Sequence, residues 1–294
     1  MDQYHLRMTA KTKFLNFFRS FFTIPAIEKF LLQKNLKYHS PFFKKLIPPN
    51  YLYKKPSTRM VERNGIFYRL DISDVIDHYL YWGYKDPGYN TILEELKNAY
   101  VILDIGANIG DTALFYASVN QKAEIFAFEP HPATFKKSTE NVELNNFSNI
   151  HLINLGLGDK PGTFKLYEVN ENNTGMNRII SENKKLPYQE VTIETLDNIV
   201  SEKGISNVDF IKLDVEGFEH AVLLGGKNII TQSKPVLFIE LDDNNLTGNN
   251  SSAKQVVQTL QSYGYKKIYR ADNLSPLTAE QDFKNCHYDI IARC

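Results

Sequence analysis

Residues 101–117, VILDIGANIGDTALFYA, join an apolar run to a helical stretch through a turn carrying Gly106 and Gly110. A glycine turn between strand and helix aims backbone N–H groups and the helix N-terminus at whatever lies beyond the strand's carboxyl end. Dinucleotide sites use G-x-G-x-x-G, whose second glycine lets the backbone approach a pyrophosphate. Here Asn108 stands at that position and the spacing is G-x-x-x-G, which suits a nucleoside ligand without phosphates better than a dinucleotide. Glu129 follows Gly106 by 23 residues, close to the ~20 at which an acid meets ribose hydroxyls. A carboxylate there accepts from both sugar O–H groups; the plainer alternative is a solvated acid at a strand end.

A second group of reactive side chains lies in DVEGFEH, where Asp214 ends an apolar run and Glu216, Glu219 and His220 follow within one helical turn. Crowded carboxylates at a strand end raise one another's pKa and can create a general base. Asp214, Glu216, His220 and Glu240 are the candidates. Against this, Glu216 and Glu219 also suit the N-terminal dipole of a helix beginning near Gly217, and a lone histidine on a helix is more often structural. Asp214, Glu240 and Asp242 offer the oxygen ligands hard cations take, but their spacing is not diagnostic and no metal is expected.

The elements that must position these groups are legible as short apolar runs alternating with helical stretches, the pattern of βαβ units and a parallel sheet. Residues 101–104, 124–128, 150–155, 208–213 and 235–240 read as strands, and YKKIYR and HYDIIAR close the sheet. DTALFYAS, PATFKKSTENVELN and SSAKQVVQTLQSYG read as helices, the last capped by Ser251 or Ser252 and stopped by Gly264. Residues 170–187 are polar and read as a long mobile loop between strands. Before the sheet, a strand over 66–72 leads into helical segments rich in Tyr79, Tyr81, Trp82, Tyr84 and Tyr89. Aromatic clusters can line a ring-binding cleft, and more often fill a core.

Residues 13–32 place Phe14, Phe17, Phe18, Phe21 and Phe22 at near-helical spacing among Lys11, Lys13 and Arg19. This predicts an amphipathic helix ending near Pro25, of the kind that lies on an anionic membrane surface; such a stripe more often docks on the protein's own core. Residues 37–56, with four prolines, read as an irregular connector. The division expected is therefore an N-terminal helical and irregular extension, 1–65, and a Rossmann-like domain, 66–294.

Composition bounds the rest. Of 294 residues 43% are hydrophobic, and Lys+Arg equals Asp+Glu at 34 each, so no global field exists for gripping nucleic acid and no nucleic-acid partner is expected. Cys286 and Cys294 are the only cysteines, too few for a disulfide framework. With no apolar window near the ~20 residues of a membrane span and no signal-peptide core, a cytoplasmic protein is expected, in peripheral contact with the inner membrane surface if residues 13–32 bind lipid. Nothing in the sequence sets an oligomeric state.

Five blocks in order, LDIGANIG, AFEPHPATF with ENVELNN, INLGLGDKPGTFKLY, TIETLDNI and FIKLDVEGFEHAVLLGG, resemble those of the FkbM family of S-adenosylmethionine-dependent methyltransferases. The resemblance runs from about Tyr84 to Glu240 and departs at Gly156, where the family pattern has alanine or valine before Leu157. It implies an α/β fold, a doubly wound, mostly parallel seven-stranded sheet of the class I methyltransferase kind with an antiparallel edge. It also implies methyl transfer from S-adenosylmethionine to a hydroxyl of a small molecule or glycan. Carried over by position, Asp104, Gly106, Ala107, Asn108 and Gly110 would hold the methionine part of the cofactor, Glu129 its ribose and Asp159 its adenine. The competing readings are a nicotinamide-dependent oxidoreductase or epimerase on a similar sheet, which Asn108 disfavours, and a non-catalytic membrane-associated module acting through the Phe-rich helix.

Overall fold

A computed structural model of the chain describes residues 9–84, 87–170, 172–179 and 185–294. Helices α1 (Ala10–Phe21), α2 (Pro25–Tyr38) and α3 (Pro41–Leu46) precede a hairpin of β1 (Thr58–Arg63) and β2 (Ile66–Asp71), then α4 (Val75–Trp82) and α5 (Leu93–Asn98). The alternating region follows as β3 (Val101–Ile105), α6 (Asp111–Val119), β4 (Glu124–Phe128), α7 (Pro132–Glu143) and β5 (Ile150–Ile153). Four further strands come next: β6 (Gly156–Leu157), β7 (Gly162–Tyr167), β8 (Arg178–Ile179) and β9 (Tyr188–Glu194). The chain ends with α8 (Leu196–Glu202), β10 (Phe210–Leu213), α9 (Glu219–Gly225), α10 (Lys227–Ser233), β11 (Val236–Asp242), α11 (Asp243–Gly248), α12 (Ala253–Ser262), β12 (Lys267–Arg270) and β13 (His287–Arg293).

Seven strands form one sheet in the order β12-β13-β11-β10-β3-β4-β5. The pairs among β11, β10, β3, β4 and β5 are parallel, and β13 runs antiparallel to both β11 and β12. This is the expected doubly wound sheet. Its central strands are near-continuous apolar runs because helices cover both faces. Alternation assigns the faces: Leu103, Ile105, Ile211, Leu213, Leu237 and Ile239 pack in one core cluster, and Ile102, Phe210 and Phe238 in the other. Helix α6 lies over the second face through Ala113, Tyr116 and Ala117, whereas α9, α10 and α12 supply Val222, Ile230 and Leu260 to the first.

Two compact units divide the chain: residues 1–63, 68–85 and 171–173 form the smaller, and 64–67, 86–170 and 174–294 the larger. In the smaller unit Leu31, Tyr53, Tyr81 and Trp82 are buried, and so is the carboxylate of Glu28. Glu28 receives Arg59 Nε and Nη2 at 2.8 and 3.1 Å and Tyr81 Oη at 2.7 Å, so its charge is paired and hydrogen-bonded as burial demands. Of the lead-in aromatics, Tyr81 and Trp82 are core, while Tyr79 and Tyr84 remain exposed.

The amphipathic helix expected to end near Pro25 is α1, and Pro25 opens α2 at its first position, where its missing N–H costs nothing. Two local expectations are corrected. The connector expected over 37–56 contains α3 and a 3-10 turn, Asn50–Leu52, since Ser40 caps Phe42 N–H and Pro41 opens the helix. Within the loop expected over 170–187, β8 pairs antiparallel with β7 in a four-stranded sheet of order β6-β9-β7-β8; residues 171 and 180–184 lie outside the described set. Among the described residues no helix is long and apolar enough to cross a membrane.

Candidate active site

Strand order reverses at β3, from which the chain steps to β4 and β5 on one side while β10 and β11 lie on the other. The crevice beyond the carboxyl ends of β3 and β10 is therefore the place where an open α/β sheet takes a ligand. Gly106 begins the turn there with φ +83°, and a Cβ on it would stand 1.7 Å from the Asp214 carbonyl oxygen. The turn and the end of β10 thus touch backbone to backbone, which only glycine permits. Gly106 and Ala107 donate N–H bonds to Phe128 O at 3.0 and 2.9 Å, and Gly110 donates to Ala107 O at 2.8 Å. Asn108 takes a left-handed φ of +48°; its Oδ1 is buried with no hydrogen-bond partner among the described residues.

Glu129 closes the other side of this turn. Its two oxygens accept N–H bonds from Asn108 at 3.0 Å and His131 at 2.9 Å, and each oxygen keeps a second lone pair for a ligand hydroxyl. Burial pushes its carboxyl up to about 7, against the pull of those two N–H groups.

Period two along the strands places the charged groups. Asp104 lies two residues after Ile102, Lys212 two after Phe210 and Glu240 two after Phe238, so all three share the face covered by α6. Lys212 and Asp104 are register partners on β10 and β3. Lys212 Nζ donates to Gly106 O at 2.9 Å and lies 3.1 Å from Asp214 Oδ2 and 3.7 Å from Asp104 Oδ1. Burial opposes its charge, but Asp214 and Asp104 outweigh it and hold the ammonium well above the ordinary lysine value. Asp104 also accepts from Thr112 Oγ1 at 2.7 Å and has no exposed surface. It holds Lys212 and, through Thr112, the first turn of α6. The sequence reading passed over Lys212, although a lysine inside the fully buried strand FIKL is itself a signal, since a buried ammonium needs paired acids.

Asp214, Glu216 and Glu240 bring carboxylate oxygens within 4.8 Å of one another. Glu216 adopts φ +53° and precedes Gly217 at +98°. This turn is fixed by Glu219, whose Oε1 accepts from the N–H groups of Val215 and Gly217, both at 3.1 Å. Glu219 is buried and serves the turn. Asn245 Nδ2 donates to Glu216 Oε2 at 2.7 Å, and Arg178 donates in turn to Asn245 Oδ1. Neither Arg178 nor Asn245 was singled out from sequence, because β8 and α11 reach the site only through the fold. Burial, then the charges of Asp214 and Glu219, push Glu216 up to about 8. Burial, then the charges of Asp214 and Glu216, drive Glu240 far above the usual carboxylate range. The trio also has the donor chemistry of a hard divalent cation, with Glu216 where the sequence suggested Asp242. Asp242 instead caps α11 through Asn244 and Asn245 N–H and meets His287 Nδ1 at 3.0 Å.

His220 lies outside this cluster. Its Nε2 is 3.0 Å from Thr259 Oγ1 on α12, burial lowers its pKa, and the charge opposing that shift is Asp159. Asp159 itself is exposed after β6. At the opposite end of the sheet a cavity of about 290 Å³, lined by Tyr100, Glu124, Asn207 and Asp209, contains none of the clustered carboxylates.

The raised carboxyls set the pH dependence of stability. Glu129, Glu216 and Glu219 titrate at about 7, 8 and 7 when folded, against an ordinary 4.5. Above pH 4.5 the unfolded chain has lost protons that the folded chain keeps, so stability falls as pH rises towards 8. The ligand-free melting temperature is expected to drop by roughly 7–14 °C between pH 6.5 and 8.5, at about 2–4 °C per kcal/mol. Differential scanning calorimetry reads this directly, and Glu216→Gln should flatten the profile; an equally steep fall in that variant would place the proton elsewhere.

A family model described as the Methyltransferase FkbM domain matches residues 104–267, more than half of the chain. The 2-O-methyltransferase NoeI of Sinorhizobium fredii is 28% identical over 177 residues, covering 55% of this chain and 72% of the relative. The hexuronic acid methyltransferase AglP of Haloferax volcanii is 32% identical over 152 residues, covering 51% and 59%. Among solved structures, methyltransferase FkbM from Methylobacillus flagellatus aligns over 66% of this chain and 43% of its own, with 18% identity and a TM-score of 0.41.

Proposed function

The chain belongs to the FkbM methyltransferase family and is a methyltransferase, and we propose that it moves a methyl group from S-adenosylmethionine to a hydroxyl of a sugar or sugar-linked small molecule. The observation that carries the proposal is the juxtaposition of a glycine turn, beneath which Asp104 and Lys212 are locked, with the carboxylate trio of Asp214, Glu216 and Glu240. The acceptor class rests on the relatives, which are named for 2-O-methylation and for hexuronic acid.

The residues present fit the cofactor. Asn108 Oδ1 is a buried acceptor awaiting a donor, and each Glu129 oxygen keeps a lone pair for a ligand hydroxyl beside the N–H it already accepts. In this reading Gly106, Ala107, Asn108 and Gly110 hold the methionine portion, Glu129 the ribose hydroxyls and Asp159 the adenine amino group. The bound cofactor supplies an electrophilic sulfonium methyl carbon. What remains for the chain is to align an acceptor oxygen about 3–3.5 Å from that carbon and exclude water. It must also take the hydroxyl proton. Glu216 fits that last task, because a base titrating at about 8 is matched to neutral working pH. Asp214, fixed by Lys212, and Glu240, held neutral, shape the field around it. His220 is assigned to the α9–α12 contact. The reading includes a cytoplasmic location, consistent with the free thiols of Cys286 and Cys294.

Calorimetric titration tests the cofactor. S-adenosylhomocysteine is expected to bind in the micromolar range, on the order of −8 kcal/mol, and NAD to give no heat. Glu129→Ala should weaken S-adenosylhomocysteine by ~1–3 kcal/mol, the scale of charge-assisted hydrogen bonds. Heat from NAD alone would overturn the donor assignment, and unchanged affinity in a folded Glu129→Ala variant would move the ribose elsewhere.

A further inference from the structure

Helix α1 is turned inside out. Its buried residue is Asn16, which donates to Tyr51 Oη at 2.9 Å. Arg19 joins it on the inner side, donating to Lys45 O at 2.8 Å and Asn16 Oδ1 at 3.3 Å. Phe14, Phe17, Phe18 and Phe21 point to solvent, 68, 62, 44 and 49% exposed. Their rings lie edge to face with centroids 4.9–5.6 Å apart, so they form one apolar ridge. On α2 and α3, Ile27, Phe30 and Phe42 are exposed as well. A helix docking on its own core would bury these side chains and show Asn16 and Arg19 to water. The polar contacts hold the helix in the reverse orientation. Single exposed apolar residues are ordinary, but a contiguous aromatic patch marks an interaction surface.

Charge decides the occupant. Between residues 9 and 55 the sequence carries ten Lys or Arg against a single acid, Glu28, and that acid is buried and paired with Arg59. The full chain is neutral, so the remaining residues carry the opposite excess. Lys11, Lys13, Lys29, Lys37, Lys44 and Lys45 are exposed. Exposed aromatic side chains in a lysine-rich segment are complementary to a surface that is apolar below and anionic above, which is the interface of an acidic lipid bilayer.

We infer that α1 and the lysines around it seat this protein on anionic lipid membranes, with the Phe14–Phe17–Phe18–Phe21 ridge entering the headgroup–acyl boundary. The inference stands on the smaller unit and is independent of the methyltransferase reading. Helix α1 is too short to span a bilayer, so the attachment is peripheral and reversible.

Vesicle sedimentation of the full chain tests it, using liposomes of phosphatidylcholine alone or mixed with phosphatidylglycerol, whose anionic headgroups give the surface its negative potential. The expected result is binding to the anionic vesicles, at least tenfold weaker on neutral ones and weakened by raised salt. The triple variant Phe14→Ser/Phe17→Ser/Phe18→Ser should lose at least tenfold in affinity with its melting temperature unchanged, because those rings are already in water. Lys11→Gln/Lys13→Gln/Lys29→Gln should lose the preference for anionic lipid. Failure to bind anionic vesicles, or undiminished binding by the Phe variant, overturns the inference. So does sedimentation velocity showing that the wild type self-associates through this ridge, which would assign it to a second copy of the chain.

Discussion

Lys212→Met is expected to destabilise the protein by about 3–5 kcal/mol, the cost of leaving a buried charge without its partner. The lysine side chain is 6% exposed and Asp104 is fully enclosed, so water cannot replace the ammonium. Methionine fills the volume and removes the donor to Gly106 O. Asp104 then keeps Thr112 alone, and its carboxyl, already raised by burial, binds a proton when folded. The melting temperature should fall by roughly 6–20 °C, at about 2–4 °C per kcal/mol. Adding Asp104→Asn to this variant should recover part of the loss, since the second change removes the carboxyl that must take up a proton on folding, and the two effects should be non-additive by ~1–3 kcal/mol. A loss below ~1 kcal/mol for Lys212→Met would mean that the three groups are not one network.

Glu216→Gln is expected to reduce kcat by about 10²–10⁴-fold, the range for a lost general base, with S-adenosylhomocysteine affinity within about threefold of wild type. The amide keeps the size of the side chain and can still face Asn245, so the turn set by Glu219 should stand. In the wild type, kcat/KM should rise with pH up to about 8 and then level, because the deprotonated form is the active one and burial holds that carboxyl at about 8. The variant should lose this limb. If Glu216→Gln retains more than about a tenth of wild-type turnover, the proton goes to Asp214 or Glu240, and the same pH profile recorded on Asp214→Asn and Glu240→Gln separates those two.

Part of the site can be read along the chain because it is local. The turn from Gly106 to Gly110 follows directly from a strand end, and glycine spacing reveals it; Gly217, read as the start of a helix, instead belongs to a sharp bend with Glu216 ahead of α9. The strands carrying them are continuous apolar runs, which only a sheet covered on both faces accommodates. Parity would have gone further: Phe210, Lys212 and Asp214 share a face, as do Ile102 and Asp104, and their coincidence on adjacent strands follows from register. The four-stranded sheet was not legible. Gly156–Leu157 and Arg178–Ile179 are two residues each, too short for periodicity to register, and they exist because β7 and β9 pair beside them.

The amphipathic helix shows the division between the two levels of information. Sequence alone determined that residues near the N-terminus form helix with aromatic and basic side chains in the same stretch, because spacing along a helix is a local property. It also determined the family, the doubly wound sheet and the carboxylates that end its strands. Only the tertiary structure decided which side of α1 faces inward, since that depends on Tyr51 and the Lys45 carbonyl, contacts far along the chain. It likewise decided that Asp104 meets Lys212, that Glu216 and not Asp242 completes the trio, and that His220 on α9 meets Thr259 of α12. Each of these is a choice between directions in space, and direction is set by register and packing against distant elements, not by the order of residues.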